Sequence, residues 1–321
     1  MTRGTSQSGV AARGKTMNET RNGHRSGFAC FVGRPNAGKS TLMNAIVGEK
    51  VAIMSSRPQT TRRAIRGIVT RDDAQLVVVD TPGLHRPRTL LGERLNDLVR
   101  ETFAEVDVIG FCLPADEKVG PGDQWIAREL SEARAPVVAI VTKVDKVPRE
   151  RVAEHLLAVA ELGDWADIVP VSSVKDIQVD VLLDVLVGHL PEGPPLYPSG
   201  EVTDEPEDVR IAELVREAAL EGVRDELPHS LAVVVEEIVE SDQPAPVGKL
   251  PLVEIRAHVF VERDSQKGII IGKGGARLKE VGATARKDIE RLLGRKVFLD
   301  LHVKVAKDWQ RDPKQLGRLG F

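Results

Sequence analysis

Two cysteines in 321 residues are too few for a disulfide framework. Cys30 and Cys112 both stand inside apolar runs that read as buried strands, where a thiol is inert core filler and a reducing cytosol suits it. Long apolar runs are missing as well. The longest, such as Val137-Val138-Ala139-Ile140-Val141, fall far short of the roughly 18 residues that span a bilayer, which predicts a soluble protein. The first 26 residues carry no apolar stretch. That speaks against a secretory signal and predicts a disordered tail, and the amphipathic face of a transit peptide is absent too. No repeat of fixed period occurs. Net charge is small, −3 from 45 Lys/Arg against 48 Asp/Glu, but the total conceals opposite fields. Residues 201–250 hold 4 Lys/Arg against 14 Asp/Glu, whereas residues 256–321 hold 16 against 8. The last segment is therefore the candidate anion-binding end.

What is present suffices for real cores: 41% hydrophobic and 29% charged residues exclude a wholly disordered chain. The length favours two domains of roughly 100–200 residues each. From Phe28 onward, the runs FACFV, AIRGIVTR, QLVVVD, VDVIGFCL, PVVAIVT and DIVPVS alternate with helix-period segments such as RLNDLVRETFAEV and VAEHLLAVAEL. Continuous Val/Ile runs interleaved with helices predict an α/β domain, a mainly parallel sheet covered on both faces. It closes with the helix-like VDVLLDVLVGHL, after which PEGPPLYPSGEVTDEPED concentrates Pro, Gly and acids into a linker. Beyond it the order helix, two strands, the Gly-rich turn GIIIGKGG, a helix and a strand reads as αββααβ, an α+β domain. The expected organisation is a tail over 1–26, an α/β domain over 27–190, a linker over 191–209 and the α+β domain over 210–321.

Gly33-Arg34-Pro35-Asn36-Ala37-Gly38-Lys39-Ser40 fits G-x-x-x-x-G-K-[ST], with the strand FACFV before it and TLMNAIVG, able to form a helix, after it. With 28 glycines in the chain, a chance match has a probability of roughly one or two in a hundred. Glycines at such a turn let backbone N–H groups surround phosphate oxygens, and the helix start adds its dipole. Lys39 is placed to reach the β/γ-phosphates and Ser40 to ligate Mg²⁺. Gly33, Asn36, Ala37, Gly38 and Thr41 complete the expected nucleotide contacts. QLVVVD ends in Asp80-Thr81-Pro82-Gly83, where Asp80 can hold the Mg²⁺ shell and the Gly83 N–H can meet a γ-phosphate. AIVTKVD and PVSSV end two later strands with Thr142-Lys143-Val144-Asp145 and Ser172-Ser173-Val174.

These residues resemble the translational GTPases, whose base-reading motif is Asn-Lys-x-Asp followed by a Ser-Ala-x loop. The resemblance implies that Asp145 accepts from guanine N1 and the exocyclic amine, with the Lys143 stem covering the base. That gives GTP over ATP. Thr142 replaces the usual Asn, with a shorter reach, and Ser173 replaces Ala. Arg57-Pro58-Gln59-Thr60-Thr61-Arg62-Arg63 corresponds to the first switch of this class, and Thr61, immediately before Arg62, is the expected Mg²⁺ ligand. Lys39, Thr61 and Gly83 are the candidate catalytic groups. Leu84 stands where many GTPases carry a water-positioning Gln, so intrinsic hydrolysis is expected to be slow or to use another group. Asn36 matches an asparagine of potassium-dependent GTPases, which adds K⁺ as a candidate ligand beside an ordinary loop role.

Gly272-Lys273-Gly274-Gly275 precedes the basic segment ARLKEVGATARKDIERLL. In KH domains a G-x-x-G loop between two helices clamps about four backbone nucleotides. With the basic balance and the αββααβ order, this predicts a type II KH domain in which Gly272, Lys273, Gly274, Gly275, Arg277 and Lys279 contact RNA. GRPNAGKS, RPQTTRR, DTPGLH and GKGG together resemble the Era GTPase family, a branch of the Era/TrmE-like P-loop GTPases, over residues 27–321. The resemblance implies GTP hydrolysis, GTP/GDP and Mg²⁺ as ligands, binding near the 3′ end of 16S rRNA during small ribosomal subunit assembly, and a cytoplasmic monomer with peripheral membrane contact. A GTP-regulated RNA-binding switch with vestigial hydrolysis is the alternative.

Overall fold

A computed structural model of the chain describes residues 23–54, 61–84, 90–223, 227–240 and 252–319. Residues 1–22 of the expected tail and Arg57–Thr60 of the expected switch lie outside them. The first domain runs β1 (Arg25–Val32), α1 (Lys39–Val47), β2 (Ile65–Thr70), β3 (Ala74–Asp80), α2 (Leu90–Glu105), β4 (Val108–Pro114), α3 (Pro121–Leu130), β5 (Val137–Thr142), α4 (Arg149–Ala160), β6 (Asp167–Pro170) and α5 (Val179–Gly188). Its six strands lie in the order β2-β3-β1-β4-β5-β6. All pairings are parallel except β2–β3, which is antiparallel. The strands β3, β4 and β5 are buried along their whole length, because the Val/Ile runs are covered by helices on both faces. One correction to the expected tail concerns its end: β1 begins at Arg25, where the Arg25 amide donates to Asp73 O at 3.0 Å. Sequence reading also passed over α3, although Pro121 at its first turn and Asp123, whose carboxylate accepts the Gly120 amide at 2.9 Å, are ordinary start signals.

Cys30 and Cys112 sit fully buried on the adjacent strands β1 and β4 as free thiols. Burial pushes both thiols far above their usual range, Cys112 up to about 12, so neither is a nucleophile at neutral pH.

The second domain comprises α6 (Glu207–Leu220), α7 (Leu227–Ser230), β7 (Ala232–Glu240), β8 (Val253–Val261), α8 (Asp264–Ile271), α9 (Ala276–Leu293), β9 (Val297–Val305) and α10 (Pro313–Arg318). Its sheet is β7-β8-β9, antiparallel then parallel, the αββααβ order with short extra helices. One reading is corrected: the Gly-Ile-Ile-Ile stretch is the last turn of α8 and not part of a turn. Its capping box, in which Gln266 Oε1 accepts the Arg263 amide at 3.1 Å, outweighs the β-preference of three isoleucines. On α9, Val281, Ala285 and Ile289 are buried at four-residue spacing, so one face packs on the sheet and the charged remainder faces out.

Two features join the domains. The Pro-Gly-acid segment after α5 is a strap along the edge of the first sheet. Gln75, fully buried on β3, accepts the Leu196 and Tyr197 amides at 2.6 and 2.8 Å and donates to Tyr197 O at 3.0 Å. The Ile68 amide donates to Val202 O at 2.9 Å. The second feature is an apolar seam in which Leu91 and Leu95 of α2 pack with Phe260, Trp309, Leu316 and Leu319. Arg62 crosses that seam with its guanidinium 5.7 Å from the Trp309 ring centroid and Nη1 donating to Leu231 O at 2.7 Å. Gln75→Ala removes the partners of three strap backbone groups. We expect a loss of about 2–3 kcal/mol in denaturant unfolding and faster amide exchange at Leu196 and Tyr197; unchanged exchange there would show that the strap is held otherwise.

Candidate nucleotide site and nucleic-acid interface

The phosphate loop leaves the C-terminal end of β1 and feeds α1, as Gly33 and Gly38 require. Gly33 has φ 156°, and a Cβ on it would stand 2.6 Å from Cys112 O; Gly38, at φ 95°, caps α1 in the left-handed region. Such positions favour glycine because an L side chain meets its own backbone there. Asn36 is also left-handed at φ 64°, which Asn tolerates better than most residues.

Three predicted metal ligands converge. Ser40 Oγ donates to Asp80 Oδ2 at 2.6 Å, Thr61 Oγ1 donates to the same oxygen at 3.0 Å, and the two hydroxyls are 3.1 Å apart. They come from the start of α1, the segment before β2 and the end of β3. Asp80 is wholly buried and its Oδ1 has no hydrogen-bond partner. Burial pushes its carboxyl above the usual range against the pull of Lys39, Ser40 and Thr61. A buried carboxylate oxygen without a partner beside two hydroxyls is a hard-oxygen set suited to Mg²⁺. Among the described residues, no group of three or more His, Cys, Asp or Glu side chains offers an alternative metal site.

Lys39 departs from expectation. A lysine awaiting phosphate should face solvent, yet Lys39 is buried and its Nζ donates to Gly33 O at 3.2 Å and Arg34 O at 3.1 Å. The loop's own carbonyls solvate the ammonium, and burial depresses its pKa against the pull of the nearby Asp80 carboxylate. Gly83 approaches the loop from the β3 side: a Cβ there would lie 2.8 Å from Pro35 N, so only glycine lets the 81–84 turn sit so close. Leu84 is buried in the core with Val79 and Val99.

The base motif is assembled from the ends of β5 and β6. Thr142 overcomes its shorter reach: its hydroxyl donates to Ala37 O at 2.6 Å, and a Cβ on the adjacent Gly38 would stand 3.6 Å from the Thr142 side chain. Lys143, at φ 59°, pairs with Asp116 at 3.3 Å. Ser172, fully buried, donates to Asp145 Oδ1 at 2.6 Å and so fixes an exposed carboxylate. Ser173 is half-buried and Val174 is 73% exposed at the rim. Ala37 is buried and Thr41 half-buried on α1.

In the second domain Gly272, Gly274 and Gly275 have φ of 73°, 59° and 79°, a left-handed turn between α8 and α9. Gly274 and Gly275 have open space where a Cβ would stand, and Lys273 and Lys279 are exposed. Arg277 is half-buried. Its guanidinium donates to Ala219 O and Glu221 O, closing the C-terminal end of α6, where a cation meets unpaired carbonyls. Arg277 therefore braces the turn from the α6 side. Ile269, which the sequence reading did not single out, is 53% exposed on α8 beside the turn.

Residues 28–143 match the family model of 50S ribosome-binding GTPases, and residues 226–310 match that of KH domains. GTPase Era of Streptomyces coelicolor is 68% identical over 305 residues, covering 93% of this chain and 95% of its own. GTPase Era of Mycobacterium avium is 68% identical, covering 92% of this chain and 99% of its own. A crystal structure of Era in complex with MgGDPNP and nucleotides 1506–1542 of 16S ribosomal RNA superposes with a TM-score of 0.88 at 36% identity, covering 92% of this chain and 99% of that one. A variant of Aquifex aeolicus Era bound to GDP·AlF4⁻ gives 0.87, also at 36% identity and with the same coverage. At 68% identity to these relatives over more than nine-tenths of both chains, and with GTPase and KH models matching its two domains, the chain belongs to the Era family of GTPases.

Proposed function

We propose that this chain hydrolyses GTP to GDP and phosphate and uses the nucleotide state to govern binding near the 3′ end of 16S rRNA in small ribosomal subunit assembly. The observation that supports this best is the convergence of Ser40 and Thr61 on the buried Asp80 beside the phosphate loop, in a chain that also carries a left-handed GKGG turn between helices. The Era structure bound to MgGDPNP and 16S rRNA nucleotides supports the choice of ligands.

In this reading Lys39 gives up the carbonyls of Gly33 and Arg34 for phosphate oxygens, and the loop amides and the start of α1 hold the chain of phosphates. Ser40, Thr61 and Asp80 are the groups that would hold Mg²⁺, which would offset negative charge developing on the phosphates. Gly83 offers its N–H to the γ-phosphate. Asp145, oriented by Ser172, selects guanine, and Thr142 ties the base motif to the phosphate loop. With Leu84 in the core, no side chain at that position orients water, so intrinsic turnover is slow and rests on electrostatic stabilisation. Asn36 is the residue for K⁺ in this scheme. Lys273, Lys279 and the backbone of the turn receive RNA phosphates, and Ile269 offers an apolar face to a base. We take the molecule to act as a cytoplasmic monomer, in keeping with a ribosomal RNA target. Among the described residues no helix is long and apolar enough to cross a membrane, and peripheral membrane contact rests on the family resemblance alone.

Three experiments test the assignment. Asp145→Asn should shift preference from guanosine toward xanthosine nucleotides, because an amide donor then meets O2 in place of the 2-amino group; unaltered GTP affinity refutes the base assignment. Lys39→Ala should weaken GTP and GDP roughly a hundredfold in labelled-nucleotide titration. Circular dichroism should show the fold retained, and a folded variant with parental nucleotide affinity refutes the role of Lys39. Lys273→Asp with Gly274→Asp places two negative charges in the open space of the turn. Affinity for single-stranded rRNA should collapse and its salt slope fall by about 0.7 per lost phosphate contact, while RNA-independent GTP hydrolysis stays near normal.

A further inference from the structure

Arg34 is the first variable residue of the phosphate loop, and its side chain points away from the site. Nε donates to Asp123 Oδ1 at 2.7 Å and Nη1 lies 2.9 Å from Glu117 Oε2. Asp123 is 1% exposed, and its other oxygen accepts the Gly120 amide at 2.9 Å. The arginine stem crosses Gly122, where a Cβ would meet Arg34 Cδ at 2.8 Å. Meanwhile the Arg34 carbonyl faces inward, accepting Lys39 Nζ at 3.1 Å and the Ala37 amide at 3.2 Å. One residue thus has its backbone inside the loop and its charge committed to the start of α3. The neighbouring Asp116 holds Lys143 of the base motif, so the 115–123 segment braces both halves of the nucleotide site.

We infer that Asp123 and Glu117 are positioning residues for the phosphate loop, acting through Arg34 to hold the Gly33–Gly38 turn in its anion-receiving shape before nucleotide arrives. Arg34 touches no phosphate in this scheme, since carboxylates satisfy its Nε and one Nη. Its contribution therefore falls equally on GTP and GDP, which share the phosphates the loop encloses, and on binding more than on the chemical step. Asp123→Asn should reproduce the effect without altering Arg34: an amide cannot accept from both the Gly120 N–H and the arginine Nε, because one of its two heads is a donor. Arg34→Met keeps the stem over Gly122 and removes only the charge.

The inference rests on the GTPase reading, and the experiment separates the two. Full-length parent, Arg34→Met, Asp123→Asn and Arg34→Lys are compared by stopped-flow dissociation of fluorescent GDP and a GTP analogue, with steady-state hydrolysis and circular dichroism. A parent that binds no guanine nucleotide refutes the reading itself. The expected result is nucleotide release faster by roughly tenfold in both Arg34→Met and Asp123→Asn, the size of one charge-assisted hydrogen bond. GDP and GTP analogue should be affected alike, KM for GTP raised, and kcat within about twofold of the parent. Arg34→Lys, able to keep one charged hydrogen bond, should fall between. Folded variants with parental release rates overturn the inference. So does a loss confined to the GTP analogue, or a fall in kcat at unchanged KM, since either would put Arg34 on the γ-phosphate.

Discussion

The nucleotide half of this molecule is organised around one buried carboxylate. Asp80 ends β3 with no solvent exposure, and taking a carboxylate out of water costs several kcal/mol unless charges and donors compensate. Here compensation is incomplete: one oxygen receives the hydroxyls of Ser40 and Thr61, while the other has no partner. The deficit is useful. Because the two hydroxyls come from different elements, the same demand that draws a divalent cation also draws together the start of α1, the segment before β2 and the end of β3. Lys39, turned back onto carbonyls of its own loop, is the counterpart, a buried cation solvated by backbone.

From that carboxylate a short path leads to the other domain. Thr61 donates to Asp80, and the next residue, Arg62, is buried across the domain seam on Leu231 O and the Trp309 ring. Consecutive Cα atoms are about 3.8 Å apart, so a displacement of Thr61 is felt at Arg62 within one residue. Lys50, between Glu217 of α6 and Asp288 of α9 at 2.5 and 3.0 Å, makes a second bridge, to the helix that follows the GKGG turn. The domains are thus joined one residue from Thr61, and at Lys50, as well as by the strap. Arg277, closing α6 behind the turn, extends the same structure to the proposed RNA-facing surface.

Much of this was legible in the amino-acid order because the responsible interactions are local. A Gly-rich turn between a strand and a helix, an Asp at a strand end, the TKVD and SSV strand ends and a GKGG turn are each set within a few residues by φ preferences and the alternation of apolar runs. The Val/Ile runs likewise fix the parallel sheet, since only strands covered on both faces can afford them. What the sequence by itself determined was therefore the kinds of groups present and the elements carrying them.

Tertiary structure decided where those groups point and which are desolvated, since that depends on neighbours distant in sequence. Thr142 succeeds where its length predicts failure because the Ala37 carbonyl, 105 residues away, comes to within 2.6 Å. Lys39 is buried because its loop folds over it, Leu84 belongs to a core built from β3 and α2, and Arg277 turns to α6, 58 residues earlier. The Pro-rich segment reads as a loose linker in composition, yet the buried Gln75 on β3 and the Ile68 amide on β2 make it a strap. Side-chain direction and solvation are set by long-range packing, and no local pattern encodes them.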